Sequence, residues 1–124
     1  LIELRPDNPQ AYNALGYALA DRNERLLEAR QLIEKALALA PEDGFILDSM
    51  GWVLYRQGDL AGALTYLERS YAKREDPEVA AHLGEVLWSL GEQERAKEVW
   101  REGLRLKPNN DTLKSTIKRL GATL

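Results

Sequence analysis

A short pattern recurs three times along the chain, and its spacing constrains the fold more than any other feature. The segments ALGYAL, SMGWVL and HLGEVL begin at residues 14, 49 and 82, and their glycines lie 35 and then 33 residues apart. A small residue follows each glycine after 12 or 13 positions, and these residues are Ala29, Ala63 and Ala96. Self-similarity at this period indicates a stack of similar supersecondary units.

Each unit is predicted to be a pair of helices. Apolar residues recur at spacings of three and four, as at Leu15 and Leu19 and then at Ala29, Ile33 and Ala36, which is the pattern of an amphipathic helix. A glycine inside a helix costs about 1 kcal/mol relative to alanine. The recurring glycines therefore indicate that the two helices of a pair approach too closely for a β-carbon, and the small alanines face them from the second helix.

These signals divide the chain into five parts in one continuous array. The parts are a tail of a truncated preceding repeat (1–8), three repeat units (9–42, 43–76 and 77–108) and a C-terminal capping helix with its tail (109–124). Ile2 and Leu4 belong to a segment that ends in the same proline signature as the later units. No helix precedes this segment in the sequence. We therefore expect the chain to be the C-terminal part of a longer array.

The last segment is predicted to be a helix that caps the stack. Asn110 can cap its start and Gly121 can end it. Its apolar residues Leu113, Ile117 and Leu120 are predicted to face inward. Its basic residues are predicted to face water, and they are Lys114, Lys118 and Arg119.

Composition and motifs exclude several classes of function. The net charge of −3, from 17 basic and 20 acidic residues, provides no basic surface for nucleic acid. The chain has no cysteine and one histidine, and it lacks phosphate-binding glycine loops and HExxH. We therefore expect no enzymatic activity, metal site or cofactor. No apolar run approaches the roughly 18 residues of a membrane-spanning helix, so this chain is not expected to insert into a membrane.

The glycine-aromatic pairs, the small-then-large pattern and the closing prolines together resemble the tetratricopeptide repeat (TPR) across essentially all 124 residues. The resemblance implies an all-α fold, a right-handed superhelix of antiparallel helix pairs with a C-terminal capping helix. It also implies a protein or peptide ligand bound in the concave groove that the first helices of the pairs form.

The first helices predict which side chains line that groove. Aromatic residues at positions one and four after the glycines form a strip of Tyr17, Trp52, Tyr55 and Trp88, flanked by polar residues at Asn13, Asp48, Ser49, His82 and Glu85. The alternative is that these rings only fill space between repeats. The other large aromatics are predicted to be core, and they are Tyr12, Phe45, Tyr66, Tyr71 and Trp100. Asp48 and Glu85 would repel an acidic C-terminal tail, which argues against the chaperone-tail clamp known in the family.

The segments 48–56 and 76–88 carry a narrower resemblance. They are similar to the C-terminal repeats of a proteobacterial family of outer-membrane TPR lipoprotein adaptors that includes LbcA. This resemblance implies a non-catalytic adaptor on the periplasmic side of the outer membrane, holding a C-terminal-processing protease and its cell-wall hydrolase substrates together. The alternatives are a cytoplasmic TPR assembly scaffold and repeats used for self-association through Ile2 and Leu4. A monomer or a weak homo-oligomer is expected.

Overall fold

The computed structural model describes residues 8–124, so the predicted tail before Asn8, with Ile2 and Leu4, lies outside the described residues. The described residues form seven helices and no strand. Their bounds are α1 Pro9–Asp21, α2 Leu26–Leu39, α3 Gly44–Arg56, α4 Leu60–Lys73, α5 Pro77–Ser89, α6 Gln93–Leu106 and α7 Asp111–Arg119. The predicted all-α class is confirmed.

The helices form two layers. Three hairpins, α1 with α2, α3 with α4 and α5 with α6, stack side by side, because each second helix also packs on the first helix of the next hairpin. The first helices contact one another in the order α1, α3, α5 and α7, and they form the inner layer. The capping helix α7 therefore takes the place of the first helix of a further unit.

Every inner helix starts at an Asn or Asp whose side chain accepts backbone N–H groups of the first turn. These N-caps are Asn8, Asp43, Asp76 and Asn110. The cap predicted at Asn110 is confirmed, since its side chain accepts from the Leu113 N–H at 2.9 Å. These caps determine where the inner helices begin, and therefore the position of each groove residue along the helix axis.

The predicted close approach at the hairpin glycines is confirmed. A β-carbon placed on Gly16 or Gly51 would lie 2.6 Å from the side chain of the facing helix, Ile33 Cγ1 or Leu67 Cγ. On Gly84 it would overlap the indole nitrogen of Trp100, which is fully buried. The glycines thus allow each second helix to place one large side chain against the first helix.

The expectation that all five remaining large aromatics are core is wrong for Phe45, which is 53% exposed. Tyr12 and Trp100 are buried, and Tyr66 and Tyr71 are half-buried against the core. Phe45 lies in the first turn of α3. Its ring packs with the guanidinium of Arg74 at 5.8 Å and otherwise faces solvent.

Candidate functional site

The inner helices form a concave groove that contains two adjoining compartments. The first, which we call the acidic compartment, has a volume of about 300 Å³ and is lined by Asn13, Tyr17, Phe45, Asp48, Ser49, Asp76, Glu78, Val79 and His82. The second, which we call the paired-charge compartment, has a volume of about 370 Å³ and is lined by Tyr17, Asp21, Trp52, Arg56, His82, Glu85, Thr112, Thr116 and Arg119. Both compartments share the side chains of Tyr17 and His82.

The shared wall is a hydrogen-bonded bridge across three inner helices. The Nδ1 atom of His82 on α5 lies 2.9 Å from Asp48 Oδ1 on α3, and its Nε2 atom lies 3.4 Å from the Tyr17 hydroxyl on α1. Asp48 and His82 are both buried. The bridge therefore fixes the relative positions of three successive repeats at the floor of the groove.

The surroundings set the protonation of this bridge. Burial lowers the pKa of His82, but the hydrogen-bonded Asp48 carboxylate, with Glu78 and Glu85 nearby, more than offsets burial and raises the pKa above its ordinary value. Burial, and then the charge of Asp48, raise the pKa of Tyr17. The surroundings thus favour the charged form of His82 more than water does, while Tyr17 stays a neutral hydroxyl.

Stacked rings continue the groove wall from the bridge. The His82 ring lies on Trp52 at 4.1 Å between centroids, and Trp52 lies on Tyr55 at 5.1 Å. The Arg56 guanidinium covers the Trp52 ring at 4.9 Å. The indole N–H of Trp52 donates to Asp21 at the end of α1. This stack holds the aromatic surface in one conformation.

A second polar cluster joins α3, α5 and α7. The Tyr55 hydroxyl donates to Glu85 Oε2 at 2.9 Å and lies 3.1 Å from Ser89 Oγ. Arg119 of α7 bonds to the other oxygen of Glu85, which is only 3% exposed. Hydrogen bonding to Glu85 raises the pKa of Arg119. The buried carboxylate is therefore satisfied from both sides.

Eight of the nine residues predicted for the groove lie on one connected surface. Tyr17, Asp48, Trp52, Tyr55, His82 and Glu85 belong to the bridge, the ring stack or the second cluster, and Asn13 and Ser49 line the acidic compartment. Trp88 lies apart, because its ring packs against Trp100 of the neighbouring α6 at 5.7 Å. Whether any of these residues binds a ligand stays a prediction.

Sequence reasoning missed five charged residues of the groove. They are Asp21, Arg56, Asp76, Glu78 and Arg119. Arg119 faces water as predicted, with 56% of its side chain exposed, and its guanidinium also bonds to Glu85, which the sequence did not indicate. Asp21, Arg56 and Asp76 stand at helix ends, where the sequence signal for a cap or a helix terminus gives no indication of a groove.

Within residues 8–124, the His, Asp and Glu side chains form no group of three suited to a metal ion. The described helices also lack the length and apolar character that crossing a membrane requires.

The sequence profile of the tetratricopeptide repeat family matches residues 1–44 and 49–111. The chain is a tetratricopeptide repeat protein. It is 57% identical over 120 residues to the TPR repeat-containing protein PA4667 of Pseudomonas aeruginosa, which covers 97% of this chain and 20% of that protein. The TPR chain spans about a fifth or less of the length of the curated relatives it matches.

Solved structures share the TPR fold at low sequence identity. The first TPR domain of Spaghetti (RPAP3), bound to the HSP90 peptide SRMEEVD, has a TM-score of 0.78 at 16% identity, covering 98% of this chain and 96% of that one. PcrH, in complex with the chaperone binding region of PopB, has a TM-score of 0.75 at 19% identity and covers all of both chains. These likenesses establish the solenoid architecture of the TPR chain.

Proposed function

We propose that this TPR chain is a non-catalytic interaction scaffold that binds a segment of another polypeptide in the concave groove. The observation that carries the proposal is the preorganised groove wall, in which hydrogen bonds and ring stacking already hold Tyr17, Trp52 and His82 in place. A rigid wall binds with a smaller loss of side-chain entropy than a flexible one. Aromatic rings with polar edges are also the residue types that anchor protein interfaces.

The fold likenesses support a polypeptide ligand. RPAP3 binds an HSP90 peptide and PcrH binds a region of PopB, and both are TPR structures. The groove of the present chain offers two compartments side by side, an arrangement that suits an extended segment placing successive side chains in each. The bridge of Tyr17, His82 and Asp48 places a hydroxyl beside an imidazole. Burial raises the pKa of the Tyr17 hydroxyl, which makes it a poor nucleophile, so the arrangement favours binding over catalysis.

Site-specific photo-crosslinking tests this proposal. Phe45 is exposed at the edge of the acidic compartment, so a benzoylphenylalanine placed there would contact a bound segment. Leu27, which is 68% exposed on the outer helix α2, is the matched control position. We expect cross-linked polypeptides in a lysate of the source cells from position 45, competed by excess unlabelled chain, and none of them from position 27. The same products from both positions, or none, would contradict groove binding.

We also propose the finer role that the resemblance of segments 48–56 and 76–88 implies. In that role the chain is part of an outer-membrane adaptor that holds a periplasmic C-terminal-processing protease and its cell-wall hydrolase substrates. The high identity to PA4667 supports a shared groove, since it extends across nearly the whole chain. A processing protease or a cell-wall hydrolase cross-linked from position 45 is the expected result. Cytoplasmic partners would favour the assembly-scaffold alternative, and a second copy of this chain would favour self-association.

A further inference from the structure

The acidic compartment differs from its neighbour in its balance of charge. Its lining holds three carboxylates, Asp48, Asp76 and Glu78, and its one group that can be cationic is His82, which faces Asp48. The lining is therefore negative by two or three charges, whichever protonation state His82 takes. The two carboxylates and two arginines of the paired-charge compartment balance, so its lining is neutral or, with His82 protonated, positive by one charge.

The geometry points to a basic side chain, lysine or arginine, as the group that the acidic compartment receives from the bound polypeptide. This inference rests on the proposed function, and it names the chemistry of the segment that the groove binds. A cationic group brings N–H donors to a surface rich in acceptors. Hydrogen bonds between charged groups are stronger than those between neutral groups. The same surface would repel an acidic segment.

The polar lining of the compartment supplies acceptors for such a group. The ammonium or guanidinium group of a basic side chain carries several N–H donors, and the three carboxylates lie on the walls of one compartment, together with the side chain of Asn13.

The walls of the compartment suit the rest of such a side chain. Tyr17 and Phe45 supply aromatic surface, and Val79 supplies aliphatic surface, against which the methylene stem of lysine or arginine can pack. The Phe45 ring already packs with a guanidinium, that of Arg74, in an adjoining cleft. A volume of about 300 Å³ accommodates one long side chain and no large folded element.

Two of the carboxylates can lose their charge with little change in structure. Asp76 caps α5 by accepting the N–H groups of Glu78 and Val79, and asparagine caps a helix equally well. Glu78 accepts a hydrogen bond from Thr112, which a glutamine oxygen also accepts. The variant Asp76→Asn with Glu78→Gln therefore removes two charges from the compartment. The matched control, Glu94→Gln with Glu98→Gln, removes two charges from exposed positions on the outer helix α6.

The experiment selects binders from a displayed library of random dodecapeptides with the 124-residue chain, and then measures Kd for selected peptides by fluorescence anisotropy. We expect lysine or arginine to be enriched at one peptide position. Changing that residue to methionine should weaken binding about tenfold, as should the Asp76→Asn/Glu78→Gln variant, whereas the control variant should bind like the parent chain. The methionine peptide should bind the Asp76→Asn/Glu78→Gln variant only slightly more weakly than either change alone predicts, because both changes remove the same interaction.

The outcomes separate this inference from the proposed function. Selected peptides that cross-link to benzoylphenylalanine at position 45 but show no basic enrichment, or bind the charge-neutralised variant unchanged, would overturn the basic-ligand inference and leave groove binding intact. Selected peptides that do not cross-link at position 45, or a library that yields no binder, would overturn both.

Discussion

The central inner helices α3 and α5 and their outer partners α4 and α6 are nearly equal in length, yet they are buried in different ways. Each of α3 and α5 buries nine consecutive residues, 46–54 and 79–87, whereas each of α4 and α6 buries only three, one per turn. The two central inner helices are therefore covered on every side, and their outer partners along a single stripe. Polar residues on an inner helix need partners within the protein, while those on an outer helix have water.

The two buried stripes of the outer helices illustrate the simpler case. Each stripe combines a small residue with a large one that packs directly against a hairpin glycine, Ala63 with Leu67 against Gly51 and Ala96 with Trp100 against Gly84. The buried Ser70 is accommodated because its hydroxyl donates to the Gly44 carbonyl at 2.7 Å. The inner helices instead bury Asp48, His82 and Glu85, so the groove depends on a network of polar contacts.

Breaking the inner network should have the largest effect. In the variant Asp48→Ala, the buried His82 loses its carboxylate partner, and loss of one member of a buried pair costs about 3 kcal/mol. We expect that decrease in the free energy of unfolding near pH 6, measured by urea denaturation. Asp48→Asn keeps an acceptor for Nδ1 and should lose less. Equal stability of the alanine variant and the parent chain would show that the bridge does not hold the repeats together.

The same pair should make stability depend on pH. The pKa of His82 is raised in the folded chain, so its contribution to stability is fully present below the unfolded pKa of about 6.5 and is lost as pH rises through the folded pKa. Urea midpoints should therefore fall above pH 6.5 in the parent chain and change less in Asp48→Asn. His82 is the only histidine, so one NMR resonance reports its titration. A folded pKa at or below 6.5 would contradict this interpretation.

Disturbing the close contact between the inner and outer helices should have the next largest effect on stability. In Gly84→Ala the new methyl would overlap the indole of the fully buried Trp100, and overpacking a rigid site costs about 2–3 kcal/mol. We expect a lower melting temperature by differential scanning calorimetry. Gly44→Ala is the matched control at the start of α3, where the methyl would meet Lys73 and Ser70 only at ordinary contact distances of 3.6 and 3.8 Å. Similar losses in both variants would mean that the close approach at Gly84 is not what makes it necessary.

The contact between α7 and the groove should have a smaller effect. Arg119→Met removes one of the two partners of the buried Glu85, and because the Arg119 side chain is 56% exposed we expect a loss of about 1 kcal/mol. Amide hydrogen exchange in α7 should be faster than in the parent chain. Lys118→Met, one position earlier on α7, is the control. Unchanged exchange in Arg119→Met would show that apolar packing alone attaches the capping helix.

The outer surface should be the least sensitive. Arg95 of α6 bonds to Glu68 and Glu92, but about half of each side chain is exposed. Exposed ion pairs contribute little, so Arg95→Ala should change the free energy of unfolding by no more than about 0.5 kcal/mol, and less in high salt. A loss as large as that of Arg119→Met would remove the distinction between the two layers.

Local pattern was enough to predict the helices and the hairpin joints. Apolar spacing and Asn or Asp caps act within a few residues, and the glycine–small-residue pairs recur because each hairpin solves the same packing problem. The turns within the hairpins also depend on residues close in sequence, with one variation. Gly58 and Gly91 adopt positive φ, and in the first unit Asn23 and Arg25 do so instead. These features depend on residues close in sequence or related by the repeat.

The partners within the groove depend on distant residues. Asp48 is 34 positions from His82, and Glu85 is 34 positions from Arg119. Sequence spacing places these side chains on the inner faces of their helices, but the stacking of successive hairpins sets which of them meet. For the same reason Trp88 packs on Trp100 while Tyr55, at the equivalent place one unit earlier, bonds to Glu85.

The repeat period, the helix caps and the close-packing glycines thus follow from the order of residues, because each is a short-range property that every unit repeats. The charge of each compartment, the bridge from Tyr17 through His82 to Asp48 and the role of Arg119 follow from the stacked structure. Buried polar groups must find partners across helices, and only the packed arrangement of the helices determines which partners lie within reach.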